Sequence, residues 1–252
     1  MTAEERTSTI RTIFMIAAIA CTVYGLVGML AGFASPIGVF SAWRTHKMIA
    51  SGGFVALAVA AGAFETDYGR AVLVATVLCQ GGDLALSLRG PLAFPSGLGL
   101  FLTAHLVLIA AFWLRGTNRT WTLVGLAATV PVDVALVVWL LPLVPAGMRL
   151  PILAYLATIT AMVAAAIGTR GAGGPLLIPL GAIAFFLSDI TVARHYVGLG
   201  GKLNHYVGLP LYYMGVTMIA ASIRFALEDK ASGPPPPAPP ATSAWTPGQP
   251  VR

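Results

Sequence analysis

The sequence predicts an all-α integral membrane protein, built as a bundle of eight transmembrane helices. Of its 252 residues, 57% are hydrophobic and only 10% are charged, whereas soluble domains carry about a quarter charged residues. The mean hydropathy is +0.84. The few charges lie between long apolar runs, which is the pattern of a polytopic membrane protein. This composition excludes a water-soluble globular domain.

Eight apolar segments approach the roughly 20 residues that a membrane span needs. Turn-forming residues separate them, such as Ser35-Pro36 and Arg89-Gly90-Pro91. The first segment is longer than the roughly 7–15-residue core of a signal peptide, so we expect a retained helix. Because the connections are short, consecutive helices should be antiparallel neighbours. The predicted spans are 12–33, 46–64, 69–88, 97–115, 120–141, 149–168, 175–195 and 207–227.

Residues 231–252 differ in composition from the membrane domain at 1–230. Most of this segment reads GPPPPAPPATSAWTPGQPVR, which lacks the apolar residues needed for a core. We predict a disordered, proline-rich tail that is partly extended as polyproline, and we assign it no function.

The positive charges indicate the orientation of the bundle. The net charge of +6 is scattered over short loops without a basic helix, so we expect no nucleic-acid partner. Lys and Arg favour the cytoplasmic side of bacterial-type plasma membranes, and more of them lie on the side of the N-terminus. Both termini are therefore predicted to be cytoplasmic. That side carries Arg6, Arg11, Arg70, Arg115, Arg119, Arg170, Arg224, Lys230 and Arg252, and the other carries Arg44, Lys47, Arg89, Arg149, Arg194 and Lys202.

Polar side chains within the spans are the candidate functional residues, because ionisable groups are costly inside a bilayer. Asp83 lies about 20 Å along its helix from Arg70, and Asp189 lies about 21 Å from Pro175. Their spans run in the same direction, so the two carboxylates share a level near the non-cytoplasmic end. Four further residues on other helices fall in the same half of the membrane, namely Lys47, His105, Tyr155 and Tyr212. Six polar residues on six helices predict one buried site.

Structural explanations remain open for each of these residues. Asp83 could be a paired packing device and Asp189 a helix-end charge. His105 could be a hydrogen-bonded core residue, Lys47 a snorkelling anchor, and Tyr155 and Tyr212 ordinary interfacial tyrosines. Ser188 precedes Asp189 on the same helix and points about 100° away, so it is expected to orient a neighbour rather than to act as a nucleophile. Asp133 has no polar companion at its level and is left out of the site.

Several common motifs are absent. Gly97 and Gly99 do not follow a strand, so they form no dinucleotide fingerprint, and no Gly-x-Ser-x-Gly elbow occurs. No histidines or cysteines have metal-binding spacing, so we predict no cofactor, although a metal site assembled from distant histidines stays open. Cys21 and Cys79 lie in apolar runs and indicate no disulfide.

The order of the polar motifs resembles that of the YhhN-like lysoplasmalogenase family, over roughly residues 40–225. This chain departs from the family pattern at three positions. Members of the family often have Lys-Pro where this chain has Lys47-Met48, and they often have a tyrosine near Leu108 and a glutamine near Val216. The runs that carry the resemblance are His46-Lys47-Met48, Gly82-Asp83-Leu84, Gly99-Leu100-Phe101 through His105, Tyr155 with Met162, Gly181-Ala182 through Ser188-Asp189, and Tyr212-Tyr213.

This resemblance implies a membrane hydrolase that cleaves the vinyl-ether bond of lysoplasmalogens, with a lysophospholipid as substrate and membrane lipid as surroundings. The chemistry suits two carboxylates, one acting as an acid while the other stabilises an oxocarbenium-like cation and activates water, as in glycoside hydrolysis. The sequence leaves open which of Asp83 and Asp189 is the acid. It also leaves open whether Lys47 and His105 bind the phosphate or tune the aspartates.

Two other functions compete with this interpretation. A small transporter could use Asp83 and Asp189 to bind protons or cations, and flux without turnover would identify it. A scaffold that recruits partners through its tail would leave the six polar residues unexplained.

Overall fold

The computed structural model describes residues 3–32, 39–199 and 201–233, and it is helical throughout these ranges without a β-strand. Short 3-10 turns at Ala63–Glu65 and Leu141–Leu143 join helices, and a π-helical turn at Asn204–Gly208 leads directly into α8. The described residues form nine α-helices, which are α1 Ala3–Gly32, α2 Val39–Ala60, α3 Asp67–Leu86, α4 Ala93–Arg115, α5 Arg119–Leu140, α6 Ala146–Arg170, α7 Leu177–Tyr196, α8 Leu209–Ala221 and α9 Ile223–Ser232.

Local sequence determines several helix ends. Thr66 precedes α3, and its hydroxyl accepts a hydrogen bond from the Gly69 amide at 3.0 Å. Asn118 precedes α5 and accepts from the Trp121 amide at 3.2 Å in the same way. Gly116 ends α4 with φ 97°, a conformation that glycine adopts readily and other residues rarely.

Seven helical segments of the described chain are long and apolar enough to cross a membrane, which confirms an integral, multi-pass membrane protein. The segment outside this set is α2, whose first half carries Arg44, His46 and Lys47 and is correspondingly less apolar. The remaining predicted span, 46–64, corresponds to α2, and that α2 crosses the membrane therefore stays a prediction. The structure supports it by placing both ends of the chain on one face, where Arg224 donates to Thr12 on α1 at 3.3 Å.

The helix boundaries differ most from the predicted spans at three places. Helix α1 begins at Ala3 rather than at residue 12. Helix α2 begins at Val39 rather than at residue 46, because Trp43 and the basic residues after it continue the helix beyond the apolar run. The last span is divided into a π-helical turn, α8 and α9, with a break at Ser222. The predicted tail from residue 234 onward lies outside the described residues, whereas its first residues, Ala231 and Ser232, belong to α9.

The helices form a closed ring with two helices outside it. Each of α2, α3, α4, α6, α7 and α8 packs against the next, and α8 packs back on α2. Helix α1 packs on the outside of α2, and α5 packs on the outside of α6. The interior of the ring is thus bounded by the six helices on which the predicted polar residues lie.

Glycines allow the closest helix approaches around this ring. A Cβ on Gly181 of α7 would lie 2.7 Å from the Gly215 carbonyl of α8, and one on Gly215 would lie 2.6 Å from the Gly181 carbonyl. A Cβ on Gly82 of α3 would meet the Phe101 ring of α4 at 2.7 Å. Small residues at such crossings replace the hydrophobic driving force that is missing between helices in lipid.

Two ends of the bundle can be distinguished by their charges. The terminal face, which contains the first part of α1 and helix α9, has ion pairs between Arg11 and Glu65 at 2.6 Å and between Arg115 and Asp229. The mouth face lies at the opposite end and contains the described connections 87–92, 141–145, 197–199 and 201–203, which include no Asp or Glu. Polar residues of the interior lie toward the mouth face.

Candidate functional site

A cavity of about 860 Å³ extends from the interior of the ring to the outer helix α5 and reaches the mouth face at Gly90, Val144 and Gly201. Ligand pockets of proteins measure roughly 300–1,000 Å³, so this one is large enough for a sizeable ligand. Asp83 and Asp189 both line it. The other predicted site residues that line it are Lys47, Tyr155, Ser188 and Tyr212.

Asp83 on α3 is buried and surrounded by donors. The Lys47 ammonium lies 3.1 Å from its Oδ1, and both side chains are at most 5% exposed. Its Oδ2 accepts hydrogen bonds from Ser51 at 2.5 Å, Tyr212 at 3.0 Å and Tyr213 at 3.2 Å. The Lys47 ammonium and three hydroxyl groups thus surround the Asp83 carboxyl group with hydrogen-bond donors and positive charge.

Lys47 is held in place by more than Asp83. Its ammonium also lies 5.2 Å from the centre of the Trp43 ring, one turn earlier on α2, in a cation–π contact. The amine is therefore engaged inside the protein and is not a snorkelling anchor. Of the two roles left open for Lys47, the geometry supports tuning of the aspartate over binding of a phosphate.

Asp189 on α7 has fewer partners and more contact with the cavity. Its Oδ2 accepts from the Tyr155 hydroxyl at 2.7 Å and lies 3.3 Å from Nε2 of His105. Its Oδ1 makes no hydrogen bond with the described residues, and the side chain is 17% exposed against 3% for Asp83. Asp189 is thus the more accessible of the two carboxyl groups that line the cavity.

His105 on α4 lies behind Asp189, because it is fully buried and does not line the cavity. Its Nε2 lies 2.9 Å from the Tyr155 hydroxyl, and its Nδ1 has no hydrogen-bond partner in the described part of the chain. Such a histidine cannot touch a ligand directly. It can hold Tyr155 and Asp189 in position and share a proton with them.

The two carboxylates face one cavity but are not hydrogen-bonded to each other. Rings of α4, α7 and α8 pack between the two centres: Phe185 lies 4.6 Å from His105 and 5.3 Å from Tyr212, between ring centroids. Phe101 contacts Tyr212 at 5.7 Å. Each aspartate therefore has its own hydrogen-bonding partners. The rings of Phe185 and Phe101 pack between the two groups of partners, which lie at one level of the bundle.

The remaining polar residues have different positions. The carbonyl of Ser188 accepts from Thr191, whereas its side chain is buried and lines the cavity. Asp133 does not line the cavity and instead accepts from Thr160 on α6. No three His, Cys, Asp or Glu side chains of the described residues come together in a way that could hold a metal ion.

Sequence reasoning missed Ser51, Tyr213 and Trp43. Ser51 lies one helical turn after Lys47 and Trp43 one turn before it, so the period of the helix could have identified both. The helical period could not have identified Tyr213. Adjacent residues of a helix point in different directions, so only one of Tyr212 and Tyr213 would be expected to reach Asp83, whereas both donate to it.

The walls of the cavity divide into a polar and an apolar part. The polar part consists of the residues around Asp83 and Asp189. The apolar part is formed largely by α5 and α6, with Leu136, Val137, Leu140, Ile152, Leu153, Leu156 and Ile159. A ligand that fits both parts is an amphiphile with one polar and one apolar end.

Comparison with known proteins gives one match. The model of the YhhN family matches residues 39–223, which is most of the chain and includes both aspartates. A comparison with curated proteins found no similar chain, and neither did one with solved structures.

Proposed function

The chain belongs to the YhhN family, and from this membership and the geometry of its cavity we propose that it is a membrane hydrolase of lysoplasmalogens. It would cleave their vinyl-ether bond and release a fatty aldehyde and a glycerophospho-alcohol. The single observation that carries the proposal is that two carboxylates with different surroundings face one amphiphilic cavity inside a membrane protein.

The different surroundings of Asp83 and Asp189 support a different role for each. Asp189 has a free Oδ1 at the cavity and serves as the acid that protonates the outer carbon of the double bond. The C=C electron pair forms the new C–H bond, and the inner carbon becomes an oxocarbenium ion. Asp83, held as an anion by Lys47, stabilises that cation by charge.

Water completes the reaction. It adds to the oxocarbenium carbon and loses its proton to the Asp189 carboxylate, which regenerates the acid. The resulting hemiacetal breaks its bond to the glycerol oxygen, and this oxygen takes up the hydroxyl proton, giving aldehyde and alcohol. Water is the only co-reactant, so the proposed step requires no oxidant, reductant or metal.

The apolar wall explains how a lipid would fit this mechanism. Leu136, Val137 and Leu140 of α5, together with α6, offer an aliphatic surface beside the aspartates. A single hydrocarbon chain can lie there while its ether oxygen is at the level of Asp189. Helix α5 lies outside the ring, so this part of the wall is also the part nearest the surrounding lipid.

A panel of single-chain lipids tests the proposal. Purified protein would be incubated with 1-alkenyl, 1-alkyl and 1-acyl lysophospholipids of the same chain length, and products would be identified by mass spectrometry. We expect the wild-type protein to release aldehyde from the alkenyl lipid alone. The Asp189→Asn variant should release no aldehyde from any of the three lipids. Fatty acid from the acyl lipid would indicate an ester hydrolase instead, and ion flux into liposomes without any product would indicate a transporter.

A further inference from the structure

The open end of the cavity carries a separate set of polar residues, outside both aspartate centres. We propose that the last turn of α7 and the π-helical turn before α8 form a subsite for the phosphate group of a single-chain lipid. His195 and Asn204 would contact the phosphate. This inference rests on the proposed function, because it assigns the position of the head group of that substrate.

Asn204 is anchored to α7. The hydroxyl of the buried Thr191 lies 2.9 Å from the side-chain amide of Asn204 and 2.7 Å from the Ser188 carbonyl, and Asn204 lines the cavity, where its amide N–H groups can donate to a ligand. A Cβ on Gly208 would lie 2.0 Å from the Thr191 hydroxyl, so only glycine permits this contact. Asn204 also begins the π-helical turn, an irregularity that often occurs at functional sites.

Two basic residues lie beside Asn204 at the end of α7. His195 is exposed and lines the cavity. Arg194 precedes it and does not line the cavity, so we expect its positive charge, and not a direct contact, to favour a bound anion.

The charge distribution of the mouth face suits an anion. The connections that form it contain no Asp or Glu, and the basic residues at this end include Arg44, Arg89, Arg149 and Lys202. Lys47 is the one cationic Lys or Arg side chain among the cavity-lining residues, but its ammonium is 3.1 Å from Asp83. The phosphate is therefore expected at the mouth and not at Lys47.

The distances agree with this position. Asp189 and His195 are six residues apart on α7, which corresponds to about 9 Å along the helix axis. In a lysophospholipid, five bonds separate the ether oxygen from the phosphorus, on the order of 6 Å when extended. A hydrogen bond of about 3 Å covers the remainder. A phosphate at His195 therefore places the ether oxygen at the level of Asp189.

Binding of lipids that cannot react tests the subsite independently of turnover. Isothermal titration in detergent would compare hexadecylphosphocholine with hexadecylglycerol, which has the same chain and no phosphate. Inorganic phosphate and glycerophosphocholine would show whether the anion binds without a chain. We expect the phosphate-bearing lipid to bind at least tenfold more tightly than the neutral one, and the two chain-free anions to bind only weakly.

Substitutions then locate the subsite. Asn204→Leu and His195→Leu should each lower the affinity for hexadecylphosphocholine about tenfold. Neither should change the affinity for hexadecylglycerol more than twofold. Arg149→Gln is the matched control, because it removes a charge from the same end and the Arg149 side chain does not line the cavity. This control substitution should change the affinity for hexadecylphosphocholine less than twofold.

Equal affinity of the wild-type protein for both lipids would overturn the subsite, whether or not the variants fold. So would unchanged phosphate selectivity in folded Asn204→Leu and His195→Leu. Phosphate selectivity without aldehyde release from an alkenyl lipid would instead contradict the proposed reaction and leave the subsite intact. Aldehyde release without phosphate selectivity would contradict the subsite and leave the proposed reaction intact.

Discussion

Asp189 and Asp83 differ in their partners, so the same substitution should have different consequences at the two positions. Asp189 accepts from Tyr155 and faces the cavity, whereas Asp83 forms a buried ion pair with Lys47. An Asn side chain can still accept a hydrogen bond from a hydroxyl, but it cannot neutralise an ammonium. This contrast separates a role in chemistry from a role in stability.

Asp189→Asn should abolish most activity with little loss of stability. Removal of a general acid lowers turnover by at least ~10²-fold, while the hydrogen bond from Tyr155 is retained. Turnover per folded molecule and melting temperature would be measured together. Asp133→Asn is the matched control, since its carboxylate lies outside the cavity. Full specific activity of folded Asp189→Asn would exclude it as the acid.

Asp83→Asn should be destabilising as well as inactive. Removing one partner of a buried ion pair costs about 3–5 kcal/mol, because the other charge remains buried and unpaired. The double variant Lys47→Met with Asp83→Asn should recover most of that stability but no activity. Denaturation in detergent would compare the three proteins. Equal stability of the single variant and the wild type would show that the ion pair contributes little.

At the residue scale the sequence predicted the two aspartates but not their roles. Their cost inside a bilayer identifies Asp83 and Asp189 whatever their partners are. Their roles depend on which donors reach each carboxylate, and these donors come from α2 and α8 for one and from α4 and α6 for the other. Nothing in a single sequence reveals such pairing across helices.

Among the helices, α5 and α2 depart most from what hydropathy suggests. Helix α5 is strongly apolar and lies outside the ring, yet it lines the cavity with Val137 and its neighbours. Helix α2 is the long helix outside the set apolar enough to cross a membrane, and it supplies Lys47 and Ser51. A helix that contributes ionisable groups to an internal site thereby loses part of its membrane signal.

The wall formed by α5 predicts a dependence on chain length. Val137→Trp would overfill the cavity at about 1–3 kcal/mol, so kcat/KM for a sixteen-carbon alkenyl lipid should fall about tenfold. A four-carbon analogue should be affected less than twofold, because its chain does not extend along the wall. Val138→Trp is the control, since Val138 is 72% exposed and does not line the cavity. Equal losses for both chain lengths would contradict this placement.

Over the whole molecule the two halves of the chain have the same plan. Helices α1 and α5 lie outside the ring, and each is followed by three ring helices. Lys47, Asp83 and His105 of the first half correspond in order to Tyr155, Asp189 and Tyr212 of the second, at a nearly constant separation along the chain. Each aspartate binds a residue of the helix before it and one from the last ring helix of the other half. This arrangement is that of a parallel internal repeat.

The repeat bears on the topology. Two halves of four helices each place both chain ends on one side, and the excess of Lys and Arg on the terminal face predicts that this side is cytoplasmic. Reporter fusions after Lys230 should therefore be cytoplasmic, as should fusions at the N-terminus. Reporters on opposite sides would show an odd number of spans and exclude α2 as a membrane-crossing helix.

The bundle and the level of the polar residues could be predicted because hydropathy and helix rise are properties of each segment alone. The ring order and the division into ring and outer helices could not, since helices of similar hydropathy pack through small residues such as Gly181 and Gly215. The cavity follows from that order, and its two carboxylate centres follow from the cavity.

The central claim is that Asp189 protonates carbon within this cavity, and deuterium incorporation tests it most directly. A 1-alkenyl lysophospholipid would be turned over in D2O, and the aldehyde would be trapped at once by borohydride and examined by mass spectrometry. The account predicts one deuterium on the carbon next to the former aldehyde carbon, formed by the wild-type protein and not by Asp189→Asn. Aldehyde without deuterium, or the same labelled yield from folded Asp189→Asn, would contradict it.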